Sequence, residues 1–369
     1  VHIFRFAPFF TAELHSALGI HPMIRDLFAS PAFAASFLCA VAAATLSPAE
    51  DPKATRVTVD NFARAESDMY FAKFVKEGSF GKFSHERELA PIDHQSVIRM
   101  NRDTLYSFGV FDLDAGPVTV TLPNAGKRYM AIQVLNEDQY TTEVIYQPGP
   151  HSFAREQIGT RYLCLLVRTF VNPNDAADVK QVHALQDALK SEQAQSGKFE
   201  PGNWDLTSQA KIRDALLALT TANGGLDSKR MFGRKDQVDP VQHLLGTAAG
   251  WGGNPAYAAL YVGVIPEQND GKTAYKVTVK DVPVDGFWSI SIYNQEGFFQ
   301  ANARNAYTLN NVTAKPTADG SVTIHFGGDE NATNYLPIMP GWNYIVRLYR
   351  PRKEILDGDW KFPAAIPVR

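Results

Sequence analysis

The densest run of chemically able side chains lies at residues 99–106, where Arg99, Asn101, Arg102, Asp103, Thr104 and Tyr106 stand close together. An arginine fork binds a carboxylate, sulfate or phosphate through paired hydrogen bonds, while asparagine and tyrosine can position a hydroxyl-rich ligand. The run feeds a stretch with strand spacing. On alternating positions Asn101, Asp103 and Leu105 share one face, and Arg102, Thr104 and Tyr106 share the other. The six side chains therefore cannot all line one pocket. Two readings stay open: ligand contact, or an internal network of ion pairs and hydrogen bonds that pins the start of the strand. Acid–base chemistry has its own candidates in Asp103, Tyr106, Tyr140 and Glu296. A hydrolase or lyase acting on a carbohydrate or ester-like substrate would need Asp103 brought near Glu137 or Glu296 at glycosidase separation. The plain alternative is that these acids are solvated turn residues. Trp288, Tyr293, Trp342 and Tyr344 could stack on a sugar or an aromatic ligand, and Trp288 is counted with the ligand candidates. At alternating strand positions such rings more commonly serve core and cross-strand packing.

Other motifs exclude chemistry rather than supply it. His85-Glu86-Arg87-Glu88-Leu89 starts like a zinc-protease helix, but leucine stands where the second histidine ligand belongs, so a metalloprotease is rejected. A looser set of His85, Asp93 and His94 has metal-binding side chains in an unspecific arrangement, and surface histidines are the simpler account, so no metal is assigned. No Gly-x-Ser-x-Gly elbow, Walker loop or dinucleotide fingerprint occurs. The run Gly246 to Gly253 lacks the lysine and hydroxyl residue of a phosphate cradle and reads as a close-packed interdomain turn. No cofactor follows from any motif.

The elements that must position these residues fall into three blocks. Asp60 can cap a helix with the apolar face Phe62, Ala65, Met69, Ala72, which Gly78 would stop. From Thr104 to Arg168 the period shortens to two, through Thr119–Leu122, Tyr129–Leu135, Thr142–Tyr146 and Tyr162–Val167, with turns at Pro123–Gly126 and Gln147–Gly149. Helical spacing returns at Val179, Val182, Gln186, Leu189 behind Asn174-Asp175, and at Ile212, Leu216, Leu219 behind Thr207. Gly197 and Gly224 sit where those helices should stop, and Asp239-Pro240 can open a third. Period two resumes at Tyr275–Val279, Phe287–Tyr293, Val322–Phe326 and Tyr344–Tyr349.

The two β regions repeat one order of features. A Thr/Val strand leads to Pro123, Gly126, an aromatic-led strand from Tyr129, then Asn136-Glu137-Asp138 and Tyr140. In the rear half Thr278-Val279 leads to Pro283, Gly286, the strand from Phe287, then Asn294-Gln295-Glu296 and Phe298. The halves close alike too, with Gly159, Tyr162 and Arg168 matched by Gly341, Tyr344 and Arg347. We therefore expect a mainly β chain of two related antiparallel β-sandwich, jelly-roll-like domains joined by helices. Residues 1–49 form a leader, 50–172 the first sandwich with its preceding helix, 173–254 a helical connector with the glycine-rich run, and 255–369 the second sandwich.

A chain of 369 residues with 45% hydrophobic and 20% charged content has ample material for two cores. Its 36 basic and 39 acidic residues give a net charge of −3, which leaves no electrostatic footprint for nucleic acid or anionic lipid. Two cysteines, Cys39 in the leader and Cys164 in a core strand, provide neither a disulfide framework nor a zinc spacing. The chain begins at Val1 with its first methionine at Met23, so residues 1–22 are set aside as a misassigned start. From Met23, Arg25 precedes an apolar stretch from Phe33 to Ala44 and the small-residue sites Ala42-Ala43-Ala44 and Ser47-Pro48-Ala49. This pattern is that of a secretory signal, implying a periplasmic or secreted protein; the alternative is a short buried helix in a cytoplasmic one. No other segment approaches the ~20 apolar residues of a membrane span.

Seven segments, three in the front half and four in the rear, carry a family resemblance. Val57-Thr58-Val59-Asp60-Asn61-Phe62-Ala63-Arg64-Ala65-Glu66, Ile98-Arg99-Met100-Asn101-Arg102-Asp103-Thr104-Leu105-Tyr106-Ser107 and Phe111-Asp112-Leu113-Asp114-Ala115-Gly116-Pro117 together resemble the domain of unknown function numbered 1254. Asp285-Gly286-Phe287-Trp288-Ser289-Ile290-Ser291-Ile292-Tyr293-Asn294, with Asn310-Asn311-Val312-Thr313, Asp319-Gly320-Ser321 and Gly341-Trp342-Asn343, is similar to the domain numbered 1214. The resemblance spans about residues 57 to 363 and implies tandem β architecture, but no settled reaction. The functional expectation is thus a binding protein that holds a small polar or anionic ligand near Arg99, Asn101, Arg102, Asp103 and Tyr106. A hydrolase or lyase is the second reading, and a structural protein that forms homo-oligomers through exposed sheet edges the third.

Overall fold

The computed structural model describes residues 53–95, 98–223 and 225–368. The leader with Met23 and Cys39, and the expected helix stop Gly224, lie outside them.

The front half runs α1 (Phe62–Lys76), β1 (Phe83–His85), β2 (Thr104–Asp112), β3 (Val118–Leu122), β4 (Met130–Asn136), β5 (Thr141–Ile145), β6 (Gly149–Phe153), α2 (Arg155–Ile158), β7 (Tyr162–Phe170), α3 (Ala176–Asp187) and β8 (Lys190–Gln193). Helices α4 (Leu206–Ala222) and α5 (Pro240–Gly250) follow. The rear half runs β9 (Ala259–Val264), β10 (Tyr275–Val279), β11 (Trp288–Tyr293), β12 (Thr308–Asn310), β13 (Val322–Phe326), β14 (Tyr335–Leu336), β15 (Asn343–Tyr349), α6 (Lys353–Asp357) and β16 (Ile366–Pro367). The chain is mainly β, and each half is a sandwich of two sheets. In the front half, sheet β1-β2-β7-β4-β5 packs on β6-β3-β8, and in the rear half β12-β11-β15-β9 packs on β14-β13-β10-β16.

Residue pattern explains which sheet lies where. β3 and β10 alternate buried and more accessible positions, as expected of a sheet with one face to water. β4, β7, β11 and β15 are buried at every position, because a second layer covers their outer faces. In the front half part of that layer is α1, whose Phe71 and Phe74 pack on Phe108 and Val110, and whose Phe62 and Ala65 meet Leu216 of α4 and Leu245 of α5. The rest is the other domain: Tyr129, Ala131 and Phe170 pack on Ala259, Phe287 and Tyr349.

The halves share one strand order. β2-β7-β4-β5 corresponds to β9-β15-β11-β12, and β6-β3-β8 to β13-β10-β16, with every corresponding pair antiparallel. Register agrees as well. Arg168 lies between Tyr106 and Ala131 on its neighbouring strands, and Arg347 between Tyr261 and Ser289. The backbone bond from Phe170 N to Tyr129 O (2.9 Å) has its counterpart from Tyr349 N to Phe287 O (2.8 Å).

Several local expectations need correction. Asn61, not Asp60, stands at the N-cap of α1, and its side-chain oxygen accepts from Thr58 N rather than from the helix. Gly197 follows β8 instead of ending a helix, because residues after α3 turn back to pair with β3. Leu219 is half exposed rather than on the buried face of α4. The glycine-rich run is not a loop throughout: α5 continues through Gly246 to Gly250, and only Gly252 of the run takes a positive φ, +75°. Close packing accounts for two of its glycines, since a Cβ at Gly246 would lie 2.8 Å from Met231 Cβ and one at Gly253 2.1 Å from Phe232 Cε2. Asp175, Asp205 and Asp239 cap α3, α4 and α5 through side-chain oxygens, with Pro240 in the first turn of α5.

Candidate functional site

Residues 98–103 lead into β2 but lie across the outer face of the rear sandwich, so most of the polar run bonds to the other domain. Arg99 Nη1 donates to Asn343 Oδ1 at 2.6 Å. Asp103 is fully buried, and its Oδ1 accepts from Thr308 Oγ1 (3.3 Å) and Asn310 Nδ2 (3.2 Å). Among the described residues its Oδ2 and the hydroxyl of neighbouring Ser289 have no hydrogen-bond partner of good geometry. Burial raises the Asp103 carboxyl above its ordinary range, against the opposing pull of Arg347. Arg347 holds the arm from beneath. Its guanidinium donates to Ser291 Oγ (2.8 Å), Tyr293 OH (2.7 Å), Arg99 O (2.9 Å) and Met100 O (3.2 Å).

A reciprocal arrangement holds the segment leading into β9. Arg168 donates to Gln133 Oε1 (2.6 Å), Asn254 Oδ1 (3.2 Å) and Gly252 O (2.8 Å), while Trp251 stacks on Tyr70 of α1 at 4.4 Å. The rings of Tyr106, Tyr129, Tyr146, Tyr261 and Tyr349 cluster around Arg168, and Tyr349 is also a neighbour of Arg347. Asn101 reaches into this group, donating to Thr104 Oγ1 (2.9 Å), Tyr349 OH (3.1 Å) and Tyr106 OH (3.3 Å). Tyr106 also carries the Arg168 guanidinium over its ring, 5.6 Å from the centroid.

Arg102 points the other way, toward a cavity of about 300 Å³. The apolar lining of the cavity comes from the β2 start, the β7 end and α3, among them Leu105, Val171 and Val179, and from Leu89 and Ile92. Its polar lining is Arg102, Arg87 and the exposed carboxylate of Glu88. Arg87 is committed: it donates to His183 O (2.9 Å) and Gln186 Oε1 (3.2 Å) and forms an ion pair with Asp187. Arg102 donates to Ala90 O and lies 5.3 Å from the Tyr307 ring centroid and 6.0 Å from that of Phe299. Among the described residues no carboxylate comes within ion-pair distance of it. Burial pulls its guanidinium below the usual arginine range.

The remaining sequence candidates lie elsewhere. Trp288 faces the inner core of the rear sandwich, with Ile290 and Ile292. Tyr140 stacks on His243 of α5 at 4.3 Å. Glu296 is exposed in a turn. Glu137 is buried below α1, where Oε2 accepts from Tyr162 N at 2.8 Å and Asp68 and Arg64 are its charged neighbours. Asp103 is therefore brought beside neither acid. His85 bonds through Nδ1 to Ser107 Oγ (2.8 Å), Asp93 and His94 are exposed, and among the described residues no three metal-ligating side chains gather. The residues missed as site candidates are Arg168, Arg347, Tyr129, Tyr146 and Tyr261. Their available signal was an arginine inside an otherwise apolar strand, in Leu165-Leu166-Val167-Arg168 and again in Tyr344-Ile345-Val346-Arg347.

Comparison with known proteins agrees with this layout. Residues 80–152 match the family described as protein of unknown function (DUF1254), and residues 256–353 the family described as protein of unknown function (DUF1214). Among curated proteins none matches the chain. Of solved structures, the VPA0106 protein of Vibrio parahaemolyticus is similar in fold with a TM-score of 0.61 at 18% identity, over 84% of this chain and 98% of that one. An uncharacterised protein of Burkholderia cenocepacia aligns with a TM-score of 0.49 at 15% identity, over 84% of this chain and 87% of that one. The two matched domains lie in the two sandwiches in the order expected, a DUF1254 match followed in tandem by a DUF1214 match.

Proposed function

We propose that this protein binds a small amphipathic anion, a carboxylate on a compact apolar body, in the cavity beside Arg102. The observation that carries the reading is a half-buried guanidinium, without a carboxylate partner among the described residues, at the edge of a cavity whose lining is part apolar and part polar. A charge moved out of water needs a counter-charge or several good acceptors, and Arg102 has one backbone carbonyl and two ring faces. A ligand carboxylate would supply the missing acceptors, and its apolar body would cover Leu105, Val171 and Val179. At about 300 Å³ the space suits a small molecule rather than a polymer. The hydrolytic alternative finds less support, because Asp103 is fully buried and bonded to Thr308 and Asn310, away from solvent. We further propose export to the periplasm or beyond, on the strength of the apolar stretch Phe33 to Ala44 behind Arg25.

Thermal shift of the full chain against short aliphatic and aromatic carboxylates, with the matching amides as neutral controls, tests the binding reading. Carboxylates should raise the melting temperature where amides do not, and Arg102→Met should abolish the difference. Equal shifts for acid and amide, or shifts untouched by Arg102→Met, would refute it.

A further inference from the structure

We propose that the tyrosine-lined junction between the two sandwiches is a second ligand site, independent of the Arg102 cavity, and that it takes a small oxyanion such as a carboxylate or phosphate. The argument is a hydrogen-bond account. Arg168 sits in the middle of β7 at 6% exposure, and among the described residues no carboxylate lies within ion-pair distance. Its three acceptors, Gln133 Oε1, Asn254 Oδ1 and Gly252 O, are all neutral. An interior cation without a counter-charge is costly.

The phenols around it offer protons and few acceptors. Asn101 Nδ2 donates to the hydroxyl oxygens of Tyr106 (3.3 Å) and Tyr349 (3.1 Å), and Asn254 Nδ2 donates to that of Tyr261 (2.9 Å). These three oxygens are thus used as acceptors, and among the described residues no bond is formed by their own O–H protons. The hydroxyls of Tyr129 and Tyr146 are buried and have no partner in either sense among the described residues, and Tyr129 as a whole is 8% exposed. Tyr129 contacts both Tyr146 and Tyr349, with ring centroids 6.0 Å and 5.2 Å away. Burial holds Tyr129, Tyr146 and Tyr349 above the ordinary tyrosine range, so all three remain O–H donors at neutral pH.

Rings packed only for their area would be expected to turn their hydroxyls to carbonyls or water, since a buried donor left unbonded is destabilising. Five phenols and a guanidinium gathered at one junction instead make a donor-rich cluster, and an oxyanion accepts several donors at once. Asp103 is a charged neighbour of Tyr349, and burial raises its carboxyl above the ordinary range against the pull of Arg347. Asn101, Tyr106, Tyr146 and Tyr261 are only partly buried and supply the rim through which a small anion would enter.

Isothermal calorimetry on the full chain at constant ionic strength, with phosphate, sulfate, acetate and benzoate titrated against a chloride background, tests this site. At least one oxyanion should bind, and Tyr129→Phe, which keeps the ring and removes the unpartnered hydroxyl, should weaken it roughly ten-fold. Tyr146→Phe at the rim should act in the same direction, and because the Arg102 cavity would itself take carboxylates, the phosphate and sulfate titrations decide the second site. Binding lost in Arg102→Met but kept in Tyr129→Phe would assign the anion to the cavity and overturn the second site. No binding by any of the four anions, or unchanged affinity in both tyrosine variants, would overturn it as well.

Discussion

Replacing Arg347 by methionine measures how much of the chain's stability passes through the crossing arm. Arg347 is 3% exposed, and its guanidinium bonds Ser291 Oγ, Tyr293 OH and the carbonyls of Arg99 and Met100 at 2.7 to 3.2 Å. Methionine fills much of the same stem volume but offers no donor. Met100 O would keep Tyr293 OH as a donor at 2.7 Å, whereas Arg99 O and Ser291 Oγ would lose the guanidinium bonds described above. Bonds to a charged donor contribute about 1.5–3 kcal/mol each. Two such losses give roughly 3–6 kcal/mol, and relief of the buried guanidinium's desolvation offsets part of it, leaving a net loss of about 3 kcal/mol. That is about a hundred-fold in the folding equilibrium constant.

Urea unfolding followed by tryptophan fluorescence reads this loss in both halves, because Trp204 and Trp251 lie ahead of the rear sandwich and Trp288, Trp342 and Trp360 within it. The wild-type chain should unfold in one transition, and Arg347→Met should shift the midpoint down or split the transition as the halves uncouple. Arg347→Lys should be nearly as damaging, since an ammonium keeps the charge but cannot span the four acceptors as the planar fork does. A loss below about 1 kcal/mol, within the range of an ordinary point substitution, or full rescue by lysine, would refute the reasoning.

Two further expectations can be checked directly. Asp68 and Glu137 are both pushed above the ordinary carboxylate range, chiefly by burial, so the folded chain holds their protons more tightly than the unfolded one. Their contribution to stability is complete below the unfolded carboxyl pKa of about 4 and is lost as pH rises through the raised folded values. Asp68→Asn keeps an acceptor for Trp204 Nε1 and Gly202 N while removing one titration, so melting temperature should fall less steeply from pH 4 to neutrality than in wild type; parallel curves would refute this. Export predicts a mature N terminus near Ala44 or Ala49 in protein recovered from the periplasm or medium, read by mass spectrometry; an intact leader on fully cytoplasmic protein would reject it.

Much of the architecture was legible because the strands that build the cores carry their own signal. β3 and β10 alternate Val with Thr or Lys, and β4, β7, β11 and β15 are apolar or aromatic runs bounded by turn residues. β8, Lys190-Ser191-Glu192-Gln193, has no apolar period, and β6 contains Pro150, so neither announces itself. Both occupy sheet edges, where one side of the backbone goes unpaired and proline is tolerated. Helix starts were legible through Asp175 and Asp239, whose carboxylates accept backbone donors at the N-caps. The extension of α5 through Gly246 was not, because glycine is unfavourable in a helix; the packing of Met231 and Phe232 against that face overrides propensity.

The candidate site was harder to read for a reason built into the duplication. Each sandwich has a buried arginine at the same register position, and each arginine holds the segment leading into the other domain's sheet: Arg347 holds Arg99 and Met100, and Arg168 holds Gly252 and Asn254. Partners are therefore far apart in sequence, 248 positions for Arg347 and Arg99 and 207 for Asp103 and Asn310. Along the chain, residues 99–106 look like donors and a carboxylate awaiting a ligand, whereas in space the rear domain supplies partners to Arg99 and Asp103. The same exchange gives meaning to what it leaves over. Once the interdomain bonds are assigned, Arg102 has no carboxylate partner and the phenols of Tyr129 and Tyr146 no partner at all among the described residues. A junction used only to join two domains could accommodate phenylalanine at both tyrosine positions, so the hydroxyls are better explained by something that binds there than by the packing itself.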